Sequence, residues 1–360
     1  MQDRAEFELP PTVRAHMTPL DRHTAAPAEE MHELIFGAWM SQAITAVADL
    51  GVADALAGGP RPIDELAAMV GANPDALRRL LRVLISRGIF AQRNDGRYEL
   101  TPLADVLRSD APASMAATAR FVGARQHREH WSLLTEAIKT GASVVPTLRG
   151  KSFFDYMRDE PEFAQIFNDA MTGASGLSIG PVVDAYDFTQ YRTIVDVAGG
   201  HGRLLAAILA SAPNAQGVLY DLPDVIAGAT PLLREMHVAE RVRLVEGSFF
   251  DGVPAGGPEP TAYVLKHIIH DWDDDASVRI LRNVRSAAAA GTELLLVETV
   301  IPEDDSGSFA KLTDMEMLLA NEGRERTAGE YRRLFDEAGF QMIGVVDTAS
   351  RFSIIEGRAA

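Results

Sequence analysis

Cysteine and long apolar runs are absent from this chain, and positive charge is scarce. Without cysteine the protein has no disulfides, no thiolate zinc ligands and no cysteine nucleophile. No stretch of about 18 apolar residues occurs and the first residues are polar and acidic, so the sequence predicts neither a membrane span nor a signal peptide, and we expect a cytoplasmic protein. The 34 basic and 51 acidic residues give a net charge of −17, which argues against nucleic acid as a partner. The expected partner is a small molecule.

The length of 360 residues indicates more than one domain, because a single hydrophobic core seldom serves so long a chain. Apolar residues make up 47% of the sequence, as in a globular protein with a sizeable core. Changes in residue pattern divide the chain into four parts: an N-terminal arm at residues 1–30, a winged-helix-like domain at 31–111, a helical connector at 112–186 and an α/β domain at 187–360.

The second part has the pattern of a winged helix. Two short helices, Ile63–Met69 and Leu77–Leu84, are predicted on either side of a Gly-Ala-Asn-Pro turn. A β-hairpin follows, with strands at Ile89–Ala91 and Arg97–Leu100 around an Asn-Asp-Gly turn. The arm before this part contains four prolines and no sustained periodicity, so we expect a loose segment there.

In the fourth part, short strand-like runs alternate with helical patterns. This alternation predicts a Rossmann-like α/β fold, in which helices cover a mostly parallel sheet. The predicted parallel strands are Thr193–Val197, Gly217–Tyr220, Val242–Val245, Ala262–Leu265 and Glu293–Val300. Two late strands, Met342–Val346 and Phe352–Ile355, are joined by a short turn, which predicts an antiparallel C-terminal hairpin at the edge of the sheet.

A glycine turn follows the first of these strands, as Val197-Ala198-Gly199-Gly200-His201-Gly202. Glycines allow the backbone to turn tightly and approach a ligand at a helix N-terminus. Asp221 ends the second strand 19 residues after Gly202, close to the spacing of an acid that grips ribose hydroxyls. A dinucleotide fold would need a small residue where this chain has Leu205. The pattern therefore favours a ligand with one nucleoside and no pyrophosphate, and S-adenosylmethionine is such a ligand.

Four ordered motifs carry a resemblance to a known family. They are the segments Val195–Gly202, Tyr220–Pro223, Gly247–Phe250 and Leu265–Asp274, the last reading LKHIIHDWDD. From about residue 31 the sequence resembles the class I S-adenosylmethionine-dependent O-methyltransferases of the plant caffeic-acid and bacterial polyketide type. The resemblance implies methyl transfer to a hydroxyl of a small aromatic or polyketide-like acceptor in secondary metabolism. It also implies a homodimer formed through the winged-helix domain.

The resemblance further implies a set of cofactor-binding residues: Ser175, Gly199, Gly202, Asp221, Ser248, Phe249 and Lys266. In it, the glycines and Ser175 touch the methionine part, Asp221 binds the ribose hydroxyls and Phe249 flanks the adenine. Two positions depart from the family pattern. Ala198 replaces a usual glycine, which is tolerated if that backbone has an ordinary φ. Ser248 replaces the aspartate that usually contacts the adenine amino group, so this contact is weaker or supplied elsewhere.

Methyl transfer to a hydroxyl needs one base, and histidine suits the role because its ordinary pKa is about 6.5. His270 follows the fourth predicted strand, at the edge where open α/β sheets bind ligands. The resemblance implies that His270 is the general base and that Glu298 and Glu325 hydrogen-bond its far nitrogen. It needs no metal. Candidates for the acceptor wall are Trp131, Met171, Asp271, Met315, Leu318, Leu319 and Asn321.

Three alternatives remain open at this point. His267 and His270 lie three residues apart beside an acidic run, a spacing that metal ligands on a helix face can have. The second winged-helix helix and its end carry four arginines, as a DNA-reading helix does, although residues 1–110 contain 11 basic and 16 acidic side chains. Some relatives of the family use the scaffold for decarboxylation or hydroxylation, against which His270, Glu298 and Glu325 argue.

Overall fold

The computed structural model describes residues 19–257, 260–321 and 323–360. The chain forms two compact units, and the boundary between them falls after Gly123. Among the described residues, no helix is long and apolar enough to cross a lipid bilayer.

The first unit consists of helices and one small hairpin. Its helices are α1 (Pro19–Asp49), α2 (Val52–Leu56), α3 (Ile63–Met69), α4 (Pro74–Ile85), α5 (Pro102–Asp105) and α6 (Ala116–Gly123). Strands β1 (Phe90–Gln92) and β2 (Tyr98–Leu100) pair antiparallel. The predicted helix-turn-helix with a hairpin is confirmed.

Local sequence explains where α4 begins and which face it buries. The Asn73 side chain accepts hydrogen bonds from two backbone N–H groups of the first turn, both at 3.0 Å, and Pro74 occupies the first helical position. Leu77, Leu81 and Leu84 recur at helical spacing and are fully buried. They hold α4 against the core of the unit, where Phe90 of the hairpin also lies.

Only part of the loose arm predicted at residues 1–30 belongs to the described residues. Residues 1–18 lie outside the described residues, and residues 19–30 are helical rather than loose. Proline misled this prediction. Pro19 stands at the start of the helix, where its missing N–H has no intrahelical partner to lose, and Pro27 lies inside the helix without ending it.

The second unit begins with helices and continues into an α/β domain. Its helices are α7 (Arg125–Trp131), α8 (Leu134–Thr140), α9 (Val145–Arg149), α10 (Phe153–Asp159), α11 (Pro161–Ala185), α12 (Arg203–Ser211), α13 (Pro223–Ile226), α14 (Ala229–Glu235), α15 (Asp274–Ala287), α16 (Ser308–Asn321) and α17 (Ala328–Ala338). Its strands are β3 (Thr193–Val197), β4 (Gln216–Asp221), β5 (Val242–Glu246), β6 (Thr261–Lys266), β7 (Glu293–Glu298), β8 (Val300–Ile301), β9 (Arg326–Thr327), β10 (Phe340–Asp347) and β11 (Ser353–Ala359).

The large sheet has the strand order β10-β11-β7-β6-β3-β4-β5. The strands from β7 to β5 in this order pair parallel, whereas β11 pairs antiparallel with both β7 and β10. The predicted fold class is confirmed. One strand boundary was wrong: the run predicted as Glu293–Val300 leaves the sheet at Glu298, and β8 then pairs with β9. Because Glu325 immediately precedes β9, this pairing brings Glu325 close to the end of β7.

Both faces of the central strands are covered, so these strands are largely apolar on both sides. Ile194 and Val264 belong to the core on one face, and Val195 and Leu265 belong to the core on the other. Because the interior positions are filled with apolar side chains, polar groups concentrate where the parallel strands end. Their carboxyl ends meet at one edge, which is the binding edge of open α/β sheets.

Close packing of α1 and α6 generates a stability prediction. A Cβ at Gly123 would lie 2.0 Å from Thr45 Oγ1, a hydroxyl that donates a hydrogen bond to the Ala119 carbonyl at 2.9 Å. We expect Gly123→Ala to lower the free energy of unfolding by about 1–3 kcal/mol, the usual range for overpacking. Urea unfolding followed by circular dichroism measures the change.

The matched control is Gly176→Ala, at an exposed position of α11 where nothing lies within 4 Å of an added Cβ apart from the chain neighbours. It should raise the free energy of unfolding by about 0.5–1 kcal/mol, because alanine is the better helix former. A Gly123→Ala protein as stable as the wild type would mean that the two helices separate without loss of stability.

Candidate active site

The glycine turn follows β3 at the carboxyl edge of the sheet, as predicted. A Cβ at Gly199 would lie 2.5 Å from the carboxyl carbon of Asp196 and 2.6 Å from Leu219 Cδ1, so only glycine fits there. Gly202 has a φ of 84° and immediately precedes α12. The turn therefore packs its backbone tightly against β4 and leads directly into a helix N-terminus, where N–H groups are available to a ligand.

Ala198 corrects an expectation about this turn. The sequence analysis required an ordinary φ at Ala198, but its φ is 57°, in the left-handed region that disfavours a side chain. Such a conformation costs about 1–2 kcal/mol for an L-residue. The Ala198 N–H donates a hydrogen bond to the Tyr220 carbonyl at 2.7 Å, so pairing with the end of β4 holds the strained residue in place.

Asp221 ends β4 beside the glycine turn. Its Oδ2 accepts a hydrogen bond from the Gly200 N–H at 2.8 Å, and its Oδ1 accepts one from the Leu222 N–H at 2.7 Å. A carboxylate oxygen has two lone pairs, so each oxygen can accept a second hydrogen bond from a ligand hydroxyl. The structure thus brings Asp221 and the glycines together, as the sequence predicted.

Lys266 and Ser175, both predicted cofactor residues, meet although they are far apart in sequence. Lys266 is the last residue of β6, and its Nζ donates a hydrogen bond to Ser175 Oγ on α11 at 3.0 Å. Burial lowers the pKa of Lys266, while the charges of Glu298 and Asp196 oppose that effect. An ammonium group in this position is suited to a ligand carboxylate, since charge-assisted hydrogen bonds are the strong ones.

Asp196 is a buried carboxylate to which the sequence analysis assigned no role. It is 2% exposed, and its Oδ2 has no hydrogen-bond partner among the described residues. Burial, together with the nearby charge of Asp221, raises the pKa of Asp196 to about 7. The signal that could have found it is an acid inside an otherwise apolar strand, because a buried carboxyl needs a partner.

Three aromatic rings form a cluster beyond β5. Trp272 lies edge-on to Phe250, with ring centroids 4.7 Å apart, and 6.0 Å from the ring of Phe249. Ser248 lies just before them, and its Oγ accepts a hydrogen bond from the Phe250 N–H at 3.3 Å. Of these residues the sequence analysis named only Ser248 and Phe249. Trp272 and Phe250 extend the same apolar surface.

His270 contacts one of its two predicted carboxylate partners through the ring. His270 Nδ1 lies 3.0 Å from Glu325 Oε1. Because an ionised carboxylate only accepts hydrogen bonds, Nδ1 carries a proton, and in the neutral ring Nε2 keeps its lone pair. The Oδ1 of Asp271 lies 3.7 Å from that second nitrogen.

Glu298 occupies a different place from the one expected. It was predicted to hydrogen-bond the imidazole, but its Oε1 accepts hydrogen bonds from the backbone N–H groups of Ile268 and Ile269, both at 2.9 Å. Glu298 ends β7 and Ile268 follows β6, so the carboxylate links two neighbouring strand ends. It holds the backbone that carries His270 and acts on the ring only through its charge.

The charges around His270 oppose the effect of burial on its pKa. Burial by itself would lower the pKa of His270, but the carboxylates of Asp271, Glu298 and Glu325 outweigh it and raise that pKa to about 10. Burial likewise raises the pKa of Glu298 to about 7. The imidazole is therefore a stronger base than a histidine in water, and its protonated form is stabilised by the site.

Arg326 fixes the segment on which His270 lies, a role that the sequence analysis missed. Its side chain is fully buried and donates hydrogen bonds to the Ile269 carbonyl at 2.9 Å and the Trp272 carbonyl at 2.8 Å, on either side of His270. It also pairs with Asp274 at 2.8 Å. The His270 carbonyl accepts a further hydrogen bond from the Arg324 N–H at 2.8 Å. The chain before and after His270 is thus tied to the segment that contains Glu325.

The candidate residues of the acceptor wall differ in their surroundings. Asn321, at the end of α16, donates a hydrogen bond to Asp271 Oδ1 at 2.9 Å and so joins the His270 site. Trp131 lies on α7 and donates through its indole N–H to Glu316 of α16 at 2.5 Å. Leu319 is a core residue, buried with Ala137 and Val144, and does not belong to the wall. The remaining candidates are Met171, Met315 and Leu318, which are exposed or partly exposed.

His270, Glu298 and Glu325 also have the spacing of a metal centre. Among the described residues they are the one such group, with potential ligand atoms within 4.8 Å of one another. Glu298 and Glu325 each use Oε1 for a hydrogen bond, and the Oε2 of each is buried without a partner among the described residues. His267, the other histidine considered as a ligand, is not part of the group.

Two family models match the chain. Residues 131–341 match the O-methyltransferase domain, and residues 32–110 match the O-methyltransferase dimerisation domain. These ranges contain the glycine turn, Asp221 and His270 in the first case and the winged-helix segment in the second.

Individual relatives extend over nearly the whole chain. The phenazine O-methyltransferase of Lysobacter antibioticus is 41% identical, over 95% of this chain and 99% of that protein. The 3-amino-4-hydroxybenzoate 4-O-methyltransferase of Streptomyces cremeus is 39% identical, over 87% of this chain and 85% of that protein. Among solved structures, a methyltransferase of calicheamicin biosynthesis in its S-adenosylhomocysteine-bound form is similar with a TM-score of 0.83 and 34% identity, over 93% and 99% of the two chains.

The environment of Arg326 generates a second stability prediction. We expect Arg326→Met to lower the free energy of unfolding by about 3 kcal/mol or more, because two buried carbonyls lose their shortest hydrogen bond and a bond to a charged group contributes about 1.5–3 kcal/mol. Denaturant unfolding checks this value. Arg279→Met, at an exposed arginine that donates to the Phe250 carbonyl, is the control and should change stability by less than about 1 kcal/mol. Equal effects of the two changes would contradict the positioning role.

Proposed function

Because the chain belongs to the S-adenosylmethionine-dependent O-methyltransferases that carry an N-terminal dimerisation domain, we propose a specific reaction and base for it. A methyl group moves from S-adenosylmethionine to a hydroxyl of a small aromatic acceptor, and His270 removes the hydroxyl proton. The observation that carries this proposal is the contact of His270 Nδ1 with Glu325 at the edge of the sheet where the glycine turn and Asp221 also lie.

The cofactor supplies an activated methyl group on its sulfonium, so the protein has to bind it, align the acceptor and remove one proton. In this proposal Asp221 accepts hydrogen bonds from the ribose hydroxyls. Lys266 and Ser175 bind the amino-acid part, and their mutual contact supports this pairing. Gly199 and Gly202 allow close approach of the backbone. Phe249 flanks the adenine, next to Ser248.

His270 is suited to accept the proton at Nε2. Glu325 accepts the hydrogen bond of Nδ1, which fixes the tautomer and leaves the lone pair of Nε2 for the acceptor hydroxyl. When the proton has moved, the imidazolium lies among the carboxylates of Asp271, Glu298 and Glu325 in a largely water-free site. There charges interact more strongly than in water, which favours the transfer.

The acceptor is proposed to be aromatic because the two relatives act, by their names, on a phenazine and on an aminohydroxybenzoate. Its wall is assigned to Trp131, Met171, Asp271, Met315, Leu318 and Asn321. Asn321 holds the Asp271 carboxylate beside His270, and in this proposal both polar groups lie next to the reacting hydroxyl. A cytoplasmic location, expected from the sequence, is part of the same proposal.

A homodimer is the proposed assembly, formed mainly by the first unit. Leu34 is 69% and Trp39 70% exposed on α1, and Met31 and Ile35 beside them are also exposed. Large apolar side chains repeated on one helix face usually mark a protein interface. The match of residues 32–110 to a dimerisation domain supports self-association over the DNA-binding alternative.

Light scattering at micromolar concentration should give twice the 39.0 kDa mass of one chain. Leu34→Asp should shift the protein towards the monomer, because it introduces a charge into the exposed face of α1. Ile138→Asp, at an apolar residue of the second unit that is 60% exposed, is the control and should leave the dimer intact. A wild-type monomer would refute the proposed assembly.

Cofactor affinity tests the role of Asp221. Asp221→Ala should weaken the binding of S-adenosylmethionine at least tenfold, about 1.4 kcal/mol, because two ribose hydrogen bonds to a charged acceptor are lost. Isothermal titration calorimetry measures the Kd. Asp224→Ala removes a neighbouring exposed carboxylate and should leave the affinity unchanged. Equal affinity in wild type and Asp221→Ala would place the ribose elsewhere.

Removal of His270 tests the base. His270→Ala should lose about 10²–10⁴ in turnover, as is usual for a positioned base, while the Kd for S-adenosylmethionine changes less than about twofold.

The pH dependence of kcat/KM follows from the protonation of His270. Only unprotonated His270 accepts a proton, and the carboxylates raise its pKa, so kcat/KM should still increase with pH above neutrality. Glu325→Gln removes one of these charges and should shift the increase to lower pH.

The profile of His270→Ala should follow the ionisation of the acceptor alone, because a phenolate needs no base. More than about a third of wild-type turnover at pH 7 in this variant would mean that alignment suffices or that another group is the base. A Glu325→Gln profile identical to that of the wild type would separate Glu325 from His270. Loss of wild-type turnover in EDTA, restored by Mg²⁺, would favour the metal interpretation of the same three side chains.

A further inference from the structure

Glu316 is a carboxylate in the helical part of the second unit that the reaction described above does not use. It lies on α16, between the proposed wall residues Met315 and Leu318, and its side chain is only 21% exposed. Its Oε2 accepts hydrogen bonds from the Trp131 indole at 2.5 Å and from His127 Nε2 at 3.0 Å. Both donors lie on α7, so the carboxylate joins two helices.

The charge of Glu316 is maintained in this position. Burial alone would raise the pKa of Glu316, but the hydrogen bonds from His127 and Trp131 lower it below its usual value. Both donors go to the same oxygen. The other oxygen, Oε1, makes no hydrogen bond to any described residue, so half of the acceptor capacity of this partly buried carboxylate is available to a ligand. A purely structural link between α7 and α16 needs neither that oxygen nor a net charge.

A second polar group without a partner lies close to this carboxylate. His130 is 2% exposed on α7, and its Nε2 has no hydrogen-bond partner among the described residues. Burial lowers the pKa of His130 to about 4, so its ring is neutral near pH 7. The ring packs edge-on against Phe153, and Phe153 against Phe167 of α11, with centroids 6.3 and 5.6 Å apart.

These residues connect to the reaction site along two helices. On α11, Phe167, Met171 and Ser175 recur at four-residue spacing and so share one face, and Ser175 contacts Lys266. On α16, Asn321 contacts Asp271 beside His270. Both helices therefore reach the proposed methyl-transfer site near Ser175 and Asn321 and reach the aromatic and carboxylate groups of α7 and α10 further along. For an aromatic acceptor seated at His270, as in the proposed function, these two helices are the candidate walls.

We propose that Glu316 determines acceptor specificity by binding a hydrogen-bond-donating substituent, an amino or second hydroxyl group, on the aromatic acceptor away from the methylated hydroxyl. This inference rests on the proposed function for the position of the acceptor. A carboxylate oxygen in a partly buried wall strongly favours a substituent that donates a hydrogen bond, because hydrogen bonds to charged groups are stronger than those between neutral groups. It disfavours an ether oxygen of the same size, which has no proton to donate.

The test measures acceptor binding separately from turnover. Hydroxynaphthalenes that carry an amino, a hydroxyl or a methoxy group at each remaining ring position are titrated into the full-length protein loaded with S-adenosylhomocysteine. Calorimetry gives the ratio of Kd values for each methoxy compound and its amino or hydroxyl analogue. Wild type should prefer the donor-bearing member of at least one positional pair by tenfold or more. Glu316→Gln should reduce that ratio below about threefold.

Two further variants keep the result interpretable. Glu129→Gln removes a carboxylate on α7 that pairs with Arg125 and Arg149, and it should leave the ratio at its wild-type value. Glu316→Asp keeps the charge but withdraws it by one carbon–carbon bond, and it should give an intermediate ratio. If Glu316→Gln does not fold, the comparison of Glu316→Asp with Glu129→Gln decides the question. A helix-linking role alone would alter stability and leave the ratio unchanged.

The outcomes distinguish this inference from the function on which it rests. A wild-type ratio near one at every position, or an equal ratio in wild type and the Glu316 variants, overturns the role of Glu316. Methylation of donor-bearing naphthols, with kcat/KM falling in Glu316→Gln mainly through KM, supports both proposals. If naphthols bind with the expected ratio but none is methylated by wild type, the assigned reaction fails while the recognition of donor groups stands.

Discussion

The buried guanidinium of Arg326 is the contact on which the arrangement of the reaction site depends. It binds the carbonyls before and after His270, and it belongs to the segment that also provides Glu325. Glu298 binds the N–H groups of the same loop from the end of β7. The loop that carries His270 is therefore held from outside through both N–H groups and carbonyls. A planar group with five donors suits this task, because one side chain satisfies several buried carbonyls with fixed geometry.

This arrangement concentrates negative charge around one histidine. Asp271, Glu298 and Glu325 surround His270. A further carboxylate, Glu316 on α16, accepts a hydrogen bond from the Trp131 indole. In water such charges would have little influence on one another, but burial strengthens their interaction. The positive groups near the reaction site, Lys266 and Arg326, have separate partners. The electrostatic character of the region thus favours species that lose a proton to the protein or donate hydrogen bonds to it.

Motifs with a local physical cause could be predicted from the sequence. The glycine turn, Asp221 at a strand end and the Asn-Asp-Gly hairpin each reflect backbone geometry within a few residues. The contacts of Glu298, Arg326 and Glu316 could not be predicted, because they join segments separated by tens of residues and leave no periodic pattern. The positive φ of Ala198 was missed for a related reason, since neighbouring strands impose it against the preference of the residue. Helix α1 was misread at residues 19–30 because the prolines were taken as helix breakers, whereas α1 begins at Pro19 and continues through Pro27.

The position of β11 has a consequence for synthesis on the ribosome. β11 comes after every other strand of the large sheet in sequence, yet it lies between β7 and β10 and pairs with both. While residues 353–359 are still inside the exit tunnel, β7 has no neighbour on that side and β10 has none at all. The nascent chain therefore leaves one edge of β7 unpaired, next to the end that carries Glu298, until β11 becomes available, and an unpaired edge of this kind is open to association with other chains.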